Sequence, residues 1–217
     1  MCPSLARKLT GCLIAATALV CADAPAFAEE HGRLFGVFPN YTTVEERSAS
    51  GAPSADAPAI SRAHSFKLAS QSSFDPVVFP YVGLVTALGG NQNYRERYIR
   101  AFADTSAGNF MTTALVPSLT NQDARYYRSG DGGVFRRIAY AASRSVVTRK
   151  RSGGSAFNVS EIGGNLAAAG LSNLYYDPAD RTVSGTMSRW GTQVMWDTVA
   201  NGLKEFWPDI RAKLHKH

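Results

Sequence analysis

The sequence predicts a mainly α protein, a four- to five-helix bundle packed through Gly/Ala/Ser-rich faces, with an extended N-terminal arm. Three observations predict it. Apolar and polar residues recur every four positions in several long stretches, the period of one helix face. Small residues gather inside those stretches, as in Gly163, Gly164, Ala167, Ala168, Ala169 and Gly170, where two backbones can approach closely. The alternating runs of about ten residues that a membrane β-barrel requires are scarce. With 217 residues, 45% of them hydrophobic and 11% aromatic, the chain has material for one domain with a real core and for extensions around it.

Residues 1–28 read as a secretory signal peptide. Arg7 and Lys8 form a basic start, Leu13 to Val20 an apolar run too short to span a bilayer, and Ala26-Phe27-Ala28 a small-x-small cleavage site. Cys2, Cys12 and Cys21 all fall inside this segment, so the mature chain has no disulfide and no thiolate chemistry. Two lipid-attachment boxes compete with it. Leu9-Thr10-Gly11-Cys12 precedes the apolar run, and Leu19-Val20-Cys21 carries a branched valine where a small residue belongs. Residues 29–46, with Arg33-Leu34-Phe35-Gly36-Val37-Phe38-Pro39-Asn40-Tyr41, are too apolar to stay in water and read as an arm docked on the main body. Residues 47–64, rich in Ser, Ala and Pro, read as a flexible linker to a helical domain at 65–217.

Within that domain Asp75-Pro76 interrupts the first apolar pattern, and Val77 to Gly90 is uncharged but too short to cross a membrane. Tyr94 to Val116 is the next helix, with a belt of small and polar residues around Asp104 and Asn109, and Pro117 is expected to bend or end it. Phe135 to Val147 resumes the helical pattern, with Arg149-Lys150-Arg151 at its C-terminal pole. Asn158-x-x-Glu161 has the spacing of a capping box before the small-residue helix. The longest stretch, Thr182 to Ile210, holds all three tryptophans. Thr182 or Ser184 caps it. Along it Arg189, Gln193, Asp197, Asn201 and Glu205 recur every four residues.

That stripe reads as a solvated face, a buried polar seam that sets helix register, or a site; the seam is preferred, with Asp104, Asn109, Asn165 and Asn173 as its mates. Catalytic motifs are absent. His31, His64, His215 and His217 lie in the arm, linker and tail, and there is no nucleophile elbow, zinc helix, calcium loop or dinucleotide fingerprint. No cofactor and no metal site is expected. The candidate catalytic groups are therefore carboxylates: Asp104, Asp123, Glu161, Asp197 and Glu205. A pair of them meeting in a cleft would do acid and base work, as in glycoside hydrolases. The competing reading pairs them with Arg100, Arg125, Arg144 and Arg189 in a structural network, and makes Glu161 a helix cap.

Net charge is +6, with basic clusters at Arg144, Arg149, Lys150, Arg151 and at Arg211, Lys213, Lys216. They are either solvated charges or sites for phospholipid head groups, and no nucleic acid is expected. The segments RLFGVFPNY, LVPSLTNQDARYYRSG, SRSVVTR, FNVSEIGG, SRWGTQV and LKEFWPDI together resemble a group of uncharacterised exported bacterial envelope proteins. The resemblance implies a Gram-negative envelope setting, periplasm or outer-membrane periphery, and a mainly helical domain; it implies no activity, ligand or catalytic residue. The expected function is that of a non-enzymatic exported envelope protein, periplasmic or membrane-associated, with a structural or interaction role. Its partner would be a membrane surface or another envelope protein. The alternative is a hydrolase or transferase acting on an envelope lipid or glycan through Asp and Glu. A third reading inserts Val77 to Leu88 and Ile162 to Leu174 partly into a bilayer.

Overall fold

The computed structural model describes residues 33–34, 40–44, 60–88 and 93–214. The expected signal segment, both lipid-attachment boxes, the middle of the arm and nearly all of the linker lie outside the described residues. Six helices dominate. Helix α1 is Arg62–Phe74, capped by Ser61, whose hydroxyl accepts from His64 N–H at 3.1 Å. The helical domain thus starts three residues earlier than the sequence pattern suggested, because the cap and not the first apolar residue sets the boundary. Asp75-Pro76 ends it, and α2, Val78–Leu88, follows at once.

Helix α3 runs through three consecutive segments, α-helical Tyr94–Asn109, a π-helical Phe110–Leu115 and α-helical Val116–Thr120. Val116 N–H donates to Met111 O, five residues back, so the turn before Pro117 is widened by one residue. The widened turn accommodates the proline ring, and the helix continues past Pro117 until Asn121 adopts a left-handed conformation at φ 56°. Val78, Val82 and Phe102 form a small core between α2 and α3, with Phe79 stacked on Phe102 at 5.2 Å between ring centroids.

Helix α4 is Val134–Ser143, α5 is Val159–Ser172 and α6 is Val183–Leu214. Thr182 caps α6 by accepting from Gly185 N–H at 2.9 Å. Helix α6 packs against α4 and α5, and α5 packs against α3. A Cβ on Gly164 would come within 3.1 Å of Thr112 Cα, so the small-residue face of α5 touches the backbone of α3 directly. Close packing there offsets the roughly 1 kcal/mol that glycine costs a helix interior.

The chain also forms short strands that the periodicity did not reveal: β1 Thr43–Val44, β2 Gln122–Asp123, β3 Tyr126–Tyr127, β4 Val147–Lys150 and β5 Ser155–Phe157. β1 pairs in parallel with β3, Thr43 opposite Tyr126, and this pairing holds the arm on the body. β2, β4 and β5 make an antiparallel sheet in that spatial order. The helix expected through Val147, with the basic cluster at its end, is therefore corrected. It stops at Ser143, and Arg149 and Lys150 belong to a strand. Branched Val146, Val147 and Thr148 favour extended backbone, and Gly153 and Gly154, at φ 90° and 78°, supply the hairpin turn. No described helix is long and apolar enough to cross a membrane.

Candidate functional site

The five candidate carboxylates fall into two kinds, distinguished by how many of their oxygen lone pairs are already used. An ionised carboxylate offers about four acceptor positions. Glu205, on α6 and fully buried at 0% exposure, has filled them. Its Oε1 accepts from Gly130 N–H at 2.9 Å and Arg137 Nε at 2.9 Å, and its Oε2 from Tyr126 hydroxyl at 2.7 Å and Ser129 N–H at 3.0 Å. Arg137 also donates to the backbone carbonyl of Glu205 and to Asp209. Such a group ties loop 128–130, α4 and α6 together and has nothing left with which to bind a substrate.

Asp123 is saturated in the same way. Its oxygens accept from Arg125 N–H, from the Arg125 guanidinium at 2.7 Å and from Tyr127 hydroxyl at 2.8 Å. Burial raises its pKa, and these hydrogen bonds with the Arg125 charge outweigh it, leaving the carboxyl below its ordinary value. Asp104, on α3, accepts from the hydroxyls of Tyr175 and Tyr176. Burial raises its pKa against the opposing pull of those hydroxyls, Arg189 and Arg100. The Arg189 guanidinium lies 4.4 Å from the Tyr176 ring centroid, completing a packed aromatic and ionic cluster.

Glu161 and Asp197 differ. Asn158 caps α5 as the spacing predicts, accepting from Glu161 N–H at 3.0 Å. The Glu161 side chain does not turn back to complete a capping box. It points along the helix to Asn165, whose Nδ2 donates to Glu161 Oε1 at 3.0 Å and to Asp197 Oδ2 at 2.9 Å. One amide thus bridges the two carboxyls. Burial first, then the neighbouring Asp197 carboxyl, push Glu161 well above the ordinary carboxylate range.

Both carboxyls line a cavity of about 450 Å³, within the range of small-molecule sites. Lys204 lines it as well, donating from Nζ to Thr42 Oγ1 at 3.1 Å. It feels Asp197 and Glu161 through space, but hydrogen bonds to neither. Burial lowers the pKa of its ammonium, and the two carboxyls pull in the opposite direction. Asn201, Arg144 and Tyr126 complete the polar wall, while Leu34, Tyr81, Trp196, Val199 and Leu203 supply apolar surface. The arm is part of the site: Leu34, Tyr41 and Thr42 line it, and the arm is fastened by Asp75, which accepts from Arg33 at 3.0 Å and Tyr41 at 2.6 Å. Among the described residues no three His, Cys, Asp or Glu side chains are arranged to hold a metal.

The polar stripe of α6 is therefore divided. Arg189 donates to Asn173 Oδ1 at 2.6 Å, Gln193 faces Gly108, Asp197 meets Asn165, Asn201 opens onto the cavity, and Glu205 anchors the loops. Asn165 and Asn173 are direct mates of the stripe; Asn109 donates instead to Ser73 on α1. Sequence reasoning missed Lys204, two turns beyond Asp197 on the same face, because an isolated lysine on a long helix reads as solvated. It also missed Thr42 and Trp196, which carry no chemical signature until the fold brings them to the cavity. A scan against known protein families, a search of characterised proteins and a search of solved structures each find no match to this chain.

Proposed function

We propose that the protein is an exported, non-enzymatic envelope protein that binds a small polar or amphiphilic ligand in the cavity bounded by Glu161, Asp197, Asn201 and Lys204. Export is supported by the basic start, apolar run and cleavage site of residues 1–28. Ligand binding is carried by one observation: the Glu161–Asp197 pair faces a cavity with acceptor capacity still open, whereas Asp123 and Glu205 spend theirs internally. Thermal-shift measurements with a panel of polar metabolites and soluble lipid head groups test it. At least one compound should stabilise the wild type and fail to stabilise Asp197→Asn. If every stabilising compound acts equally on both proteins, the cavity is not the binding site. Recovery of the protein in the cytosolic fraction with residues 1–28 intact would defeat the export reading.

A second reading, a hydrolase or transferase acting on an envelope lipid or glycan, is favoured by two neighbouring carboxyls in one cavity. A neutral and an ionised carboxyl side by side supply a general acid and a general base. One Asn165 Nδ2 sits 3.0 Å from Glu161 Oε1 and 2.9 Å from Asp197 Oδ2, so the two carboxyls are neighbours, an arrangement that fits an acid–base dyad acting on one water. Turnover of envelope lipids or glycans by the wild type, abolished by both Glu161→Gln and Asp197→Asn, would select this reading over simple binding.

A further inference from the structure

On the α6 side the cavity lining divides into half-buried polar residues, Asp197, Asn201 and Lys204, and exposed apolar ones. Four residues that line it are large, apolar or aromatic, and exposed: Tyr81 on α2 at 43%, and Trp196, Val199 and Leu203 on α6 at 59%, 45% and 41%. The three on α6 are spaced by three and four residues and form one stripe, while Asp197, Asn201 and Lys204 form the adjacent one. A single helix face thus leads from apolar surface in solvent to an acid, an amide and an amine inside. A wholly polar ligand would gain nothing from that apolar surface and would leave it in water. An apolar chain leaving the cavity across Trp196 and Tyr81 would cover it, at about 25 cal/mol for each Å² removed from water.

The charges inside indicate what heads the chain. The Asp197 and Glu161 carboxyls line one cavity with Lys204, and the Lys204 ammonium is hydrogen-bonded to Thr42 instead of to either of them. The site therefore presents an anion and a cation that are not paired with each other, with Arg144 as a further cation on the wall. A head group bearing both charges, ammonium toward Asp197 and phosphate toward Lys204, pairs each of them. Resting on the ligand-binding reading above, we infer that the ligand is a zwitterionic single-chain amphiphile. Its aminoalkyl phosphate head sits between Asp197 and Lys204, and its acyl chain crosses the rim formed by Trp196, Val199, Leu203 and Tyr81.

Isothermal titration calorimetry on the full chain tests this, with lysophosphatidylethanolamine below its critical micelle concentration, phosphoethanolamine as the head alone, and lysophosphatidylglycerol as an anionic counterpart. The lysophosphatidylethanolamine should bind at least about 100-fold more tightly than the head alone, given roughly tenfold for every 1.4 kcal/mol of chain buried. Trp196→Ser, a change at an exposed position, should weaken that lipid by about tenfold and leave the head alone unaffected. Asp197→Asn should weaken it by about tenfold relative to lysophosphatidylglycerol. Equal affinity of lipid and head, or an unchanged lipid affinity in Trp196→Ser, overturns the amphiphile while leaving a small polar ligand in place. Tighter binding of lysophosphatidylglycerol overturns the zwitterionic head. Lipid-independent dimerisation lost in Trp196→Ser assigns the rim to a second copy and also overturns the inference. If the lipid, its head and the metabolite panel all fail to bind, the ligand-binding reading falls with it.

Discussion

Asp197 and Glu205 stand two turns apart on one face of α6, and they illustrate two uses of an acid, half-buried in one case and fully buried in the other. Glu205 accepts four hydrogen bonds, two of them from backbone N–H groups of loop 128–130 and one from the Arg137 guanidinium, so its negative charge is spread over fixed donors. Asp197 has the Asn165 amide as its hydrogen-bond partner, Glu161 as its neighbour and, among the described residues, no arginine in salt-bridge contact. The first arrangement makes structure; the second leaves acceptor capacity facing the cavity. Spacing alone could not separate them, because both lie on the same four-residue period.

The comparison can be broken at either end. Glu205→Ala should cost about 3–5 kcal/mol by urea denaturation, since it leaves Arg137 with only the partly exposed Asp209 and strands the Ser129 and Gly130 N–H groups, and Glu205→Gln should recover part of that loss. Equal, small effects of both would show that the four donors find other partners. Asp197→Leu should cost only about 1 kcal/mol, because Asn165 retains Glu161 as its acceptor and no guanidinium is left behind. For Asp197 this sets aside the reading that pairs the carboxylates with arginines in a structural network. The smallest effect concerns pH. Glu161 is raised above its ordinary value of 4.5, so the folded state holds a proton that the unfolded chain releases, and stability is lost as pH rises above about that value. Glu161→Gln should flatten this decline in a series of melting curves from pH 4 upward; a slope identical to wild type would mean that the pair carries no extra proton.

Much of the fold was legible because helices of this length repeat their signal several times. The extent of α6 and its cap at Thr182, the small-residue contact of α5 and the docking role of Tyr41 all follow from local pattern. The strands did not announce themselves, since elements such as Gln122–Asp123 and Tyr126–Tyr127 are shorter than one full alternation of faces. The site was half legible. Residue type marked Glu161 and Asp197 as candidates, but a carboxylate at the third position of a helix can fold back to its cap or reach forward one turn to Asn165, and only the tertiary setting chooses. Lys204 and Thr42 were invisible because their meeting depends on chain ends that are far apart in sequence.

That last contact has a kinetic corollary. The Lys204–Thr42 hydrogen bond spans 162 positions, and the Glu205 anchors reach back 68 to 79. Contacts of such long range form only after the intervening chain has lost much of its conformational freedom, and they slow folding more than they add to stability. On a chain made from its N-terminus, the amine that completes the cavity emerges 162 residues after the threonine that receives it. Any refolding that stalls before α6 docks would yield a helical but empty-handed protein, recognisable by normal far-ultraviolet dichroism and no ligand affinity.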